Sequence, residues 1–163
     1  MAESGRPRVL CVWRKGVEGF KATDLDMLRR AFDVTFLPFR YTPWCVLRMA
    51  RLVRTHDITY AWFANVWALL AVWFCRLSGR RSVIATGGYD VADAPGMRYG
   101  LRRHPVLKHV SRAALRHADL VLPISESARA ELLSFVTPRR VEVVYCCGRE
   151  GPQEPQRARK RQV

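Results

Sequence analysis

Three short stretches of the chain hold residue types suited to gripping an anion or a hydroxyl-bearing ligand. In Lys15-Gly16-Val17-Glu18-Gly19 the glycines Gly16 and Gly19 allow backbone N–H groups to approach a ligand closely, and Lys15 supplies a cation. An ordinary strand-to-helix turn uses the same residue types, so the stretch by itself leaves both readings open. Gly87-Gly88-Tyr89-Asp90 is the second stretch. There Asp90 either accepts a hydrogen bond from a substrate hydroxyl or turns the loop, and Tyr89 sets a phenol beside it. Asp90 and Tyr89 are the two candidates for a catalytic role. The third stretch is Ser125-Glu126, where Ser125 suits the N-cap of a helix. His56, His104, His109 and His117 show no metal-ligand spacing, so no metal is expected. Cys11, Cys45, Cys75, Cys146 and Cys147 form an odd set without a C-x-x-C pair, which predicts reduced thiols in a cytoplasmic protein.

These stretches must be held by the elements around them. Apolar runs predict strands at 8–13, 33–37, 58–63, 82–86, 120–124 and 141–145. Between them lie helical signals. Thr23 reads as an N-cap with Asp26 in the first turn of a helix through Leu25, Leu28 and Phe32. Pro43 opens a helix to about Arg54, and Asn65 caps another over 66–77 that stops at Ser78-Gly79. Pro105 opens a helix to about His117, and Ser125 caps one to Phe135. Six strands separated mostly by helices predict an α/β fold: a single Rossmann-like, doubly wound parallel sheet with helices on both faces. Ligands in such sheets sit at the carboxyl ends of the strands, where all three candidate stretches fall.

Two membrane signals need weighing. The run 9–13 is too short for a secretory h-region, so no leader is expected. Residues 58–75 carry no formal charge, which touches the length of a transmembrane helix. Its first six residues are rich in β-branched and aromatic side chains and Asn65 follows, so the stretch reads as a buried strand and a buried helix.

Composition narrows the class further. The 163 residues are 49% hydrophobic and 10% aromatic, enough to build a core, which excludes a wholly disordered chain. Net charge is +14, and only 4 of the 28 cations are lysine. Lys108, Arg112 and Arg116 share one helix face, and with Arg98, Arg102 and Arg103 they form a candidate patch for an anionic surface. Between Arg76 and Arg116, nine cations face two anions. Solvated helix faces are the alternative account of that charge. No helix-turn-helix, zinc finger or aromatic RNA-binding strand pair is present, so nucleic acid is not the expected partner.

The stretch from Arg116 to Ser127, R-H-A-D-L-V-L-P-I-S-E-S, resembles the helix–strand–helix signature in the N-terminal domain of GT-B retaining glycosyltransferases, the family-four glycosyl transferase group. The run R-V-E-V-V-Y at 140–145 resembles the strand before that family's Asn-Gly-Val-Asp turn, and W-R-K-G-V-E-G at 13–19 is compatible with its acceptor-side glycine loop. The resemblance implies an acceptor-binding half of a glycosyltransferase, with Lys15, Gly16, Gly19, Gly87, Gly88, Tyr89, Asp90, Ser125 and Glu126 around the acceptor. It implies no tightly bound cofactor, and a nucleotide-sugar donor as co-substrate once a second domain completes the site. Lipid-linked sugars or glycolipids are the implied acceptors, with a peripheral position at the inner membrane face.

The chain departs from the family pattern at two places. Tyr89 stands where many members place a histidine, and Cys146-Cys147-Gly148-Arg149 replaces the usual turn. The expected organisation is an acceptor-side domain over 1–148 and a disordered Pro/Gln/Arg-rich tail over 149–163, with the donor-binding domain absent. Such a chain is expected to be inactive alone, either as a truncated gene product or as one subunit of a split enzyme. The competing reading is a non-enzymatic basic Rossmann-like module that binds anionic membrane or nucleic acid.

Overall fold

The structure is a computed structural model that describes residues 5–14, 19–92 and 99–145. Five parallel strands, β1 (Arg8–Trp13), β2 (Asp33–Pro38), β3 (Ile58–Trp62), β4 (Arg81–Thr86) and β5 (Leu120–Pro123), form one sheet in the order β2-β1-β3-β4-β5. The connecting helices are α1 (Phe20–Ala31), α2 (Pro43–Thr55), α3 (Val66–Ser78) and α4 (Leu107–His117), and α5 (Glu126–Phe135) follows β5.

The strand order sets the layering. The chain steps one way from β1 to β2, then returns past β1 to lay down β3, β4 and β5 in the other direction. Right-handed crossovers therefore put α1 on one face and the later helices on the other. Packing agrees with this. Leu10, Val12, Ala61, Ile84 and Val121 point into a core with Met49 and Val53 of α2, Ala68 and Val72 of α3, Leu115 of α4 and Leu132 of α5. Val9, Cys11, Trp13, Tyr60, Trp62 and Ala85 point the other way, toward Leu25 and Leu28 of α1. Strands buried on both faces explain the unbroken apolar runs in the sequence.

Several local expectations hold. Pro43 lies in the first turn of α2, and the structure adds a cap, the Thr42 hydroxyl accepting from Cys45 N. The Asn65 side chain caps α3 and Gly79 closes it at φ 65, in the left-handed conformation glycine tolerates. Residues 58–75 split into strand and helix, and among the described residues no helix is long and apolar enough to cross a membrane.

Three expectations change. Helix α1 begins at Phe20, so Thr23 lies inside it and is not its cap. The cap is Gly19 at φ 57, whose carbonyl accepts from Ala22 N at 3.0 Å, so the first turn closes earlier than the Thr23 signal suggests. Helix α4 begins at Leu107 after a single 3-10 turn, Leu101–Arg103.

Among the described residues the sheet has five strands, against the six expected. Residues 141–145 run beside β5, but only Val141 makes a bridge, to Val121. Val121 N donates to Arg140 O, Glu142 N to Val121 O and Val144 N to Pro123 O. The rung between the last two would run from the N–H of residue 123 to Glu142 O, and proline has none.

Candidate functional site

Parallel register brings the carboxyl ends of the strands level, pairing Trp13 with Pro38, Trp62 with Ala85 and Thr86 with Pro123. The loops leaving β1, β3, β4 and β5 therefore share one edge of the sheet.

At the centre of that edge is Phe63, the link between β3 and the α3 cap. It is the one non-glycine residue at positive φ (66°) among the described residues. A bulky side chain in this region stores about 1–3 kcal/mol of strain and persists only where its surroundings demand it. The demand is visible here. Phe63 N donates to Ala85 O at 2.9 Å, and its own carbonyl accepts from Asn65 N at 2.9 Å. Its ring lies over Gly87, where a Cβ would come within 2.4 Å of the ring's Cε1. Lys21 Nζ of α1 lies 5.8 Å from the ring centroid, and Trp62 flanks it at 5.6 Å. Glycine at 87 thus serves close approach of a ring, and the loops from β3 and β4 lock together through it.

Asp90 completes the lock. It is 1% exposed, and its two carboxylate oxygens are divided between loops. Oδ2 accepts from Ala64 N at 2.9 Å and Oδ1 from Gly87 N at 3.0 Å, while the Asp90 carbonyl accepts from Ser111 Oγ of α4 at 3.1 Å. Burial pushes its pKa up to about 6, against the pull of those backbone amides. Of the two roles open to Asp90 in the sequence, turning and fixing the loop is the one this geometry displays. Tyr89 points outward from the same loop, exposed, with Tyr99 edge-on at 5.2 Å. Gly88, at φ 92, makes the turn that parts the buried Asp90 from the exposed Tyr89.

Beneath α1, a narrow cleft runs to the end of the sheet between Thr23, Asp24, Tyr60, Trp62, Ile124 and Tyr145. Asp24 Oδ2 accepts from Tyr60 Oη at 2.6 Å and Trp62 Nε1 at 2.8 Å. That carboxylate satisfies the polar tips of two aromatic side chains otherwise packed in the core. Ser125 lies across the strand ends, its Oγ accepting from Ala128 N at 3.1 Å as an N-cap, and Glu126 pairs with Arg129 at 3.2 Å on the surface.

The edge thus brings together Gly19, Gly87, Gly88, Tyr89, Asp90, Ser125 and Glu126, whereas Lys15 and Gly16 lie outside the described residues. The basic patch is divided. Arg102 and Arg112 lie 4.9 and 6.0 Å from the ring centroid of Phe135, tying the 3-10 turn and α4 to α5. Lys108 and Arg116 lie on α4, Arg103 ends the 3-10 turn, and Arg98 lies outside the described residues.

Phe63, Lys21, Asp24, Tyr60 and Trp62 are the site residues that sequence reasoning passed over. Tyr60 and Trp62 carried a signal: two aromatic side chains with polar tips, on one face of a buried strand, require an acceptor nearby. Phe63 carried none, since its backbone strain arises from the contact between two loops.

Solved structures share this architecture at low identity. A Listeria monocytogenes protein described as a UDP-N-acetylglucosamine 2-epimerase superposes with a TM-score of 0.50 at 10% identity, over 83% of this chain and 43% of its own. A Bacteroides thetaiotaomicron protein described as a phosphomethylpyrimidine kinase does so with a TM-score of 0.51 at 14% identity, over 83% of this chain and 54% of its own. The chain thus spans about half the length of these relatives in fold, and the likeness concerns the Rossmann-like architecture alone. No curated protein sequence matches the chain. The model of Glycosyltransferase Family 4 matches residues 3–147, which take in every strand of the parallel sheet and the loops at its carboxyl edge. On that match the chain belongs to glycosyltransferase family 4.

Proposed function

We propose that this chain is the acceptor-side lobe of a glycosyltransferase, and that it holds the hydroxyl-bearing sugar to which a sugar is transferred from a nucleotide-sugar donor. Membership of glycosyltransferase family 4 over residues 3–147 is the observation that carries this reading. The geometry supports it at the carboxyl edge. Tyr89 and Tyr99 offer exposed aromatic faces to a sugar ring, and Gly87 and Gly88 keep the loop beside them low. Phe63 and Asp90 act as positioning residues that fix the loop presenting Tyr89. Transfer also needs a stabilised leaving diphosphate and a cleft closed to water. We assign those tasks to a second lobe, on the same polypeptide or on a partner subunit, and a lipid-linked sugar or glycolipid is the acceptor class that suits this arrangement.

Calorimetric titration of the chain with simple glycosides and with nucleotide sugars tests the reading. Glycosides should bind, Tyr89→Ala should weaken them at least fivefold, and nucleotide sugars should bind weakly and not turn over. Turnover of a nucleotide sugar by the chain alone would contradict the need for a second lobe. Failure of every glycoside to bind would remove the acceptor role.

A further inference from the structure

The helical layer formed by α2, α3 and α4 carries one sign of charge. Those three helices contain no Asp or Glu, and their cations are Arg48, Arg51, Arg54, Arg76, Lys108, Arg112 and Arg116. Elsewhere the signs mix: α1 holds Asp24 and Asp26 with its basic residues, and α5 holds Glu126 and Glu131 beside Arg129. The ion pairs recorded among the described residues join Arg80 to Asp57, Arg129 to Glu126, Arg139 to Asp119 and Arg140 to Glu142. None of them neutralises a cation of this layer.

The outer surface of the layer is also apolar where a covering helix is normally polar. Helix α3 lies between α2 and α4, and its outward stripe is Trp73, Arg76 and Leu77, with Trp73 58% and Leu77 81% exposed. Helix α2 adds Trp44, 77% exposed, and Leu47 on the same stripe as Arg48 and Arg51. Between the two helices runs an apolar groove floored by Val46, Leu70 and Phe74. Isolated exposed apolar residues are ordinary, whereas two tryptophans and two leucines on neighbouring basic helices that carry no acidic residue are not.

We infer that the outer face of α2, α3 and α4 docks on an anionic lipid bilayer, with Trp44, Leu47, Trp73 and Leu77 entering the headgroup region and the arginines pairing with lipid phosphates. The charge pattern favours a bilayer over a protein partner. A protein would have to present an unbroken acidic surface around an apolar centre, whereas an anionic membrane supplies a uniform negative potential everywhere. Tryptophan suits the headgroup boundary, and arginine can lay its stem on apolar surface while its guanidinium reaches phosphate. Burial together with Arg76, Arg116 and Arg139 lowers the His117 pKa, which agrees with a positive field at this face. Docking stands independently of acceptor binding, because it needs no sugar.

Sedimentation of the full chain with vesicles tests it. Vesicles of 30% phosphatidylglycerol in phosphatidylcholine should retain the chain, and pure phosphatidylcholine should hold it at least tenfold more weakly. Each of Arg48→Gln, Arg51→Gln and Arg76→Gln should weaken partitioning about fivefold. Trp44→Ala with Trp73→Ala should weaken it at least tenfold while leaving the thermal melt in place, since both side chains are exposed. Arg29→Gln with Arg30→Gln, on α1 across the sheet, should change binding by less than either face variant. Equal loss from the α1 variant, or equal binding to neutral vesicles, would overturn the proposal. Tighter binding to duplex DNA than to anionic vesicles at matched salt would overturn it too, as would a dimer in solution abolished by Leu77→Ser.

Discussion

Replacing Asp90 with asparagine isolates the carboxylate that locks two loops together. Asp90 is buried, accepts from Ala64 N and Gly87 N, and has its pKa pushed up to about 6 from an ordinary 3.8. A carboxyl whose pKa is raised on folding stabilises the fold fully below its unfolded value and loses that contribution as pH rises through its folded value. The full loss is about 3 kcal/mol, of which about 2 kcal/mol falls between pH 4.5 and 7. Asparagine cannot ionise, so its stability lacks this slope. It also turns an N–H₂ toward one of the two backbone amides, leaving a buried donor unmatched at a cost of about 1–3 kcal/mol. Urea unfolding of both proteins across this range should therefore show a gap in favour of aspartate that is widest near pH 4.5. By pH 7 the gap should have narrowed by about 2 kcal/mol. A gap that stays constant with pH, or widens toward neutrality, would refute the burial argument and return Asp90 to an open, titrating position in the site.

Other changes probe the same edge and core. Gly87→Ala drives a methyl to within 2.4 Å of the Phe63 ring and should cost about 1–3 kcal/mol, read as a lower thermal midpoint. Asp24→Ala removes the acceptor of Tyr60 and Trp62 and should cost about 2–3 kcal/mol in urea unfolding, with Asp24→Asn restoring part of it through the amide oxygen. Ser125→Ala should cost about 1 kcal/mol by loss of the α5 cap and leave glycoside affinity unchanged if capping is its whole role. Burial pushes Cys11 up to about 12 and Cys75 up to about 11, so both thiols should resist iodoacetamide at pH 8 until urea unfolds the chain.

The parallel sheet was legible because its strands are short apolar runs between helix starts and stops that obey local chemistry. Pro43, Asn65, Gly79 and Ser125 each act within four residues of where they stand, and each marks its boundary correctly. The start of helix α1 is hidden from the sequence because Thr23 and Asp26 imitate a start that Gly19 makes earlier, through a backbone angle no composition reveals. The run at 141–145 resembles a sixth strand, since nothing in it hints that its neighbour offers Pro123 in place of a donor. At the site, glycines and polar residues marked the loops, but their roles depend on contacts across the fold. Asp90 reads as a free carboxylate until Ala64, 26 residues earlier, is seen to occupy it. Phe63 acquires its strain only because Gly87 makes room for its ring.

The acceptor role is tested most directly by backbone amide shift mapping of the ¹⁵N-labelled chain during titration with a glycoside. The account predicts that the largest saturable shifts fall at the carboxyl edge, on Gly19, Gly88, Tyr89 and Ser125, and that Tyr89→Ala removes them. Shifts confined to the amino-terminal edge of the sheet, around Arg8 and Arg81, or no saturable shift with any glycoside, would contradict it.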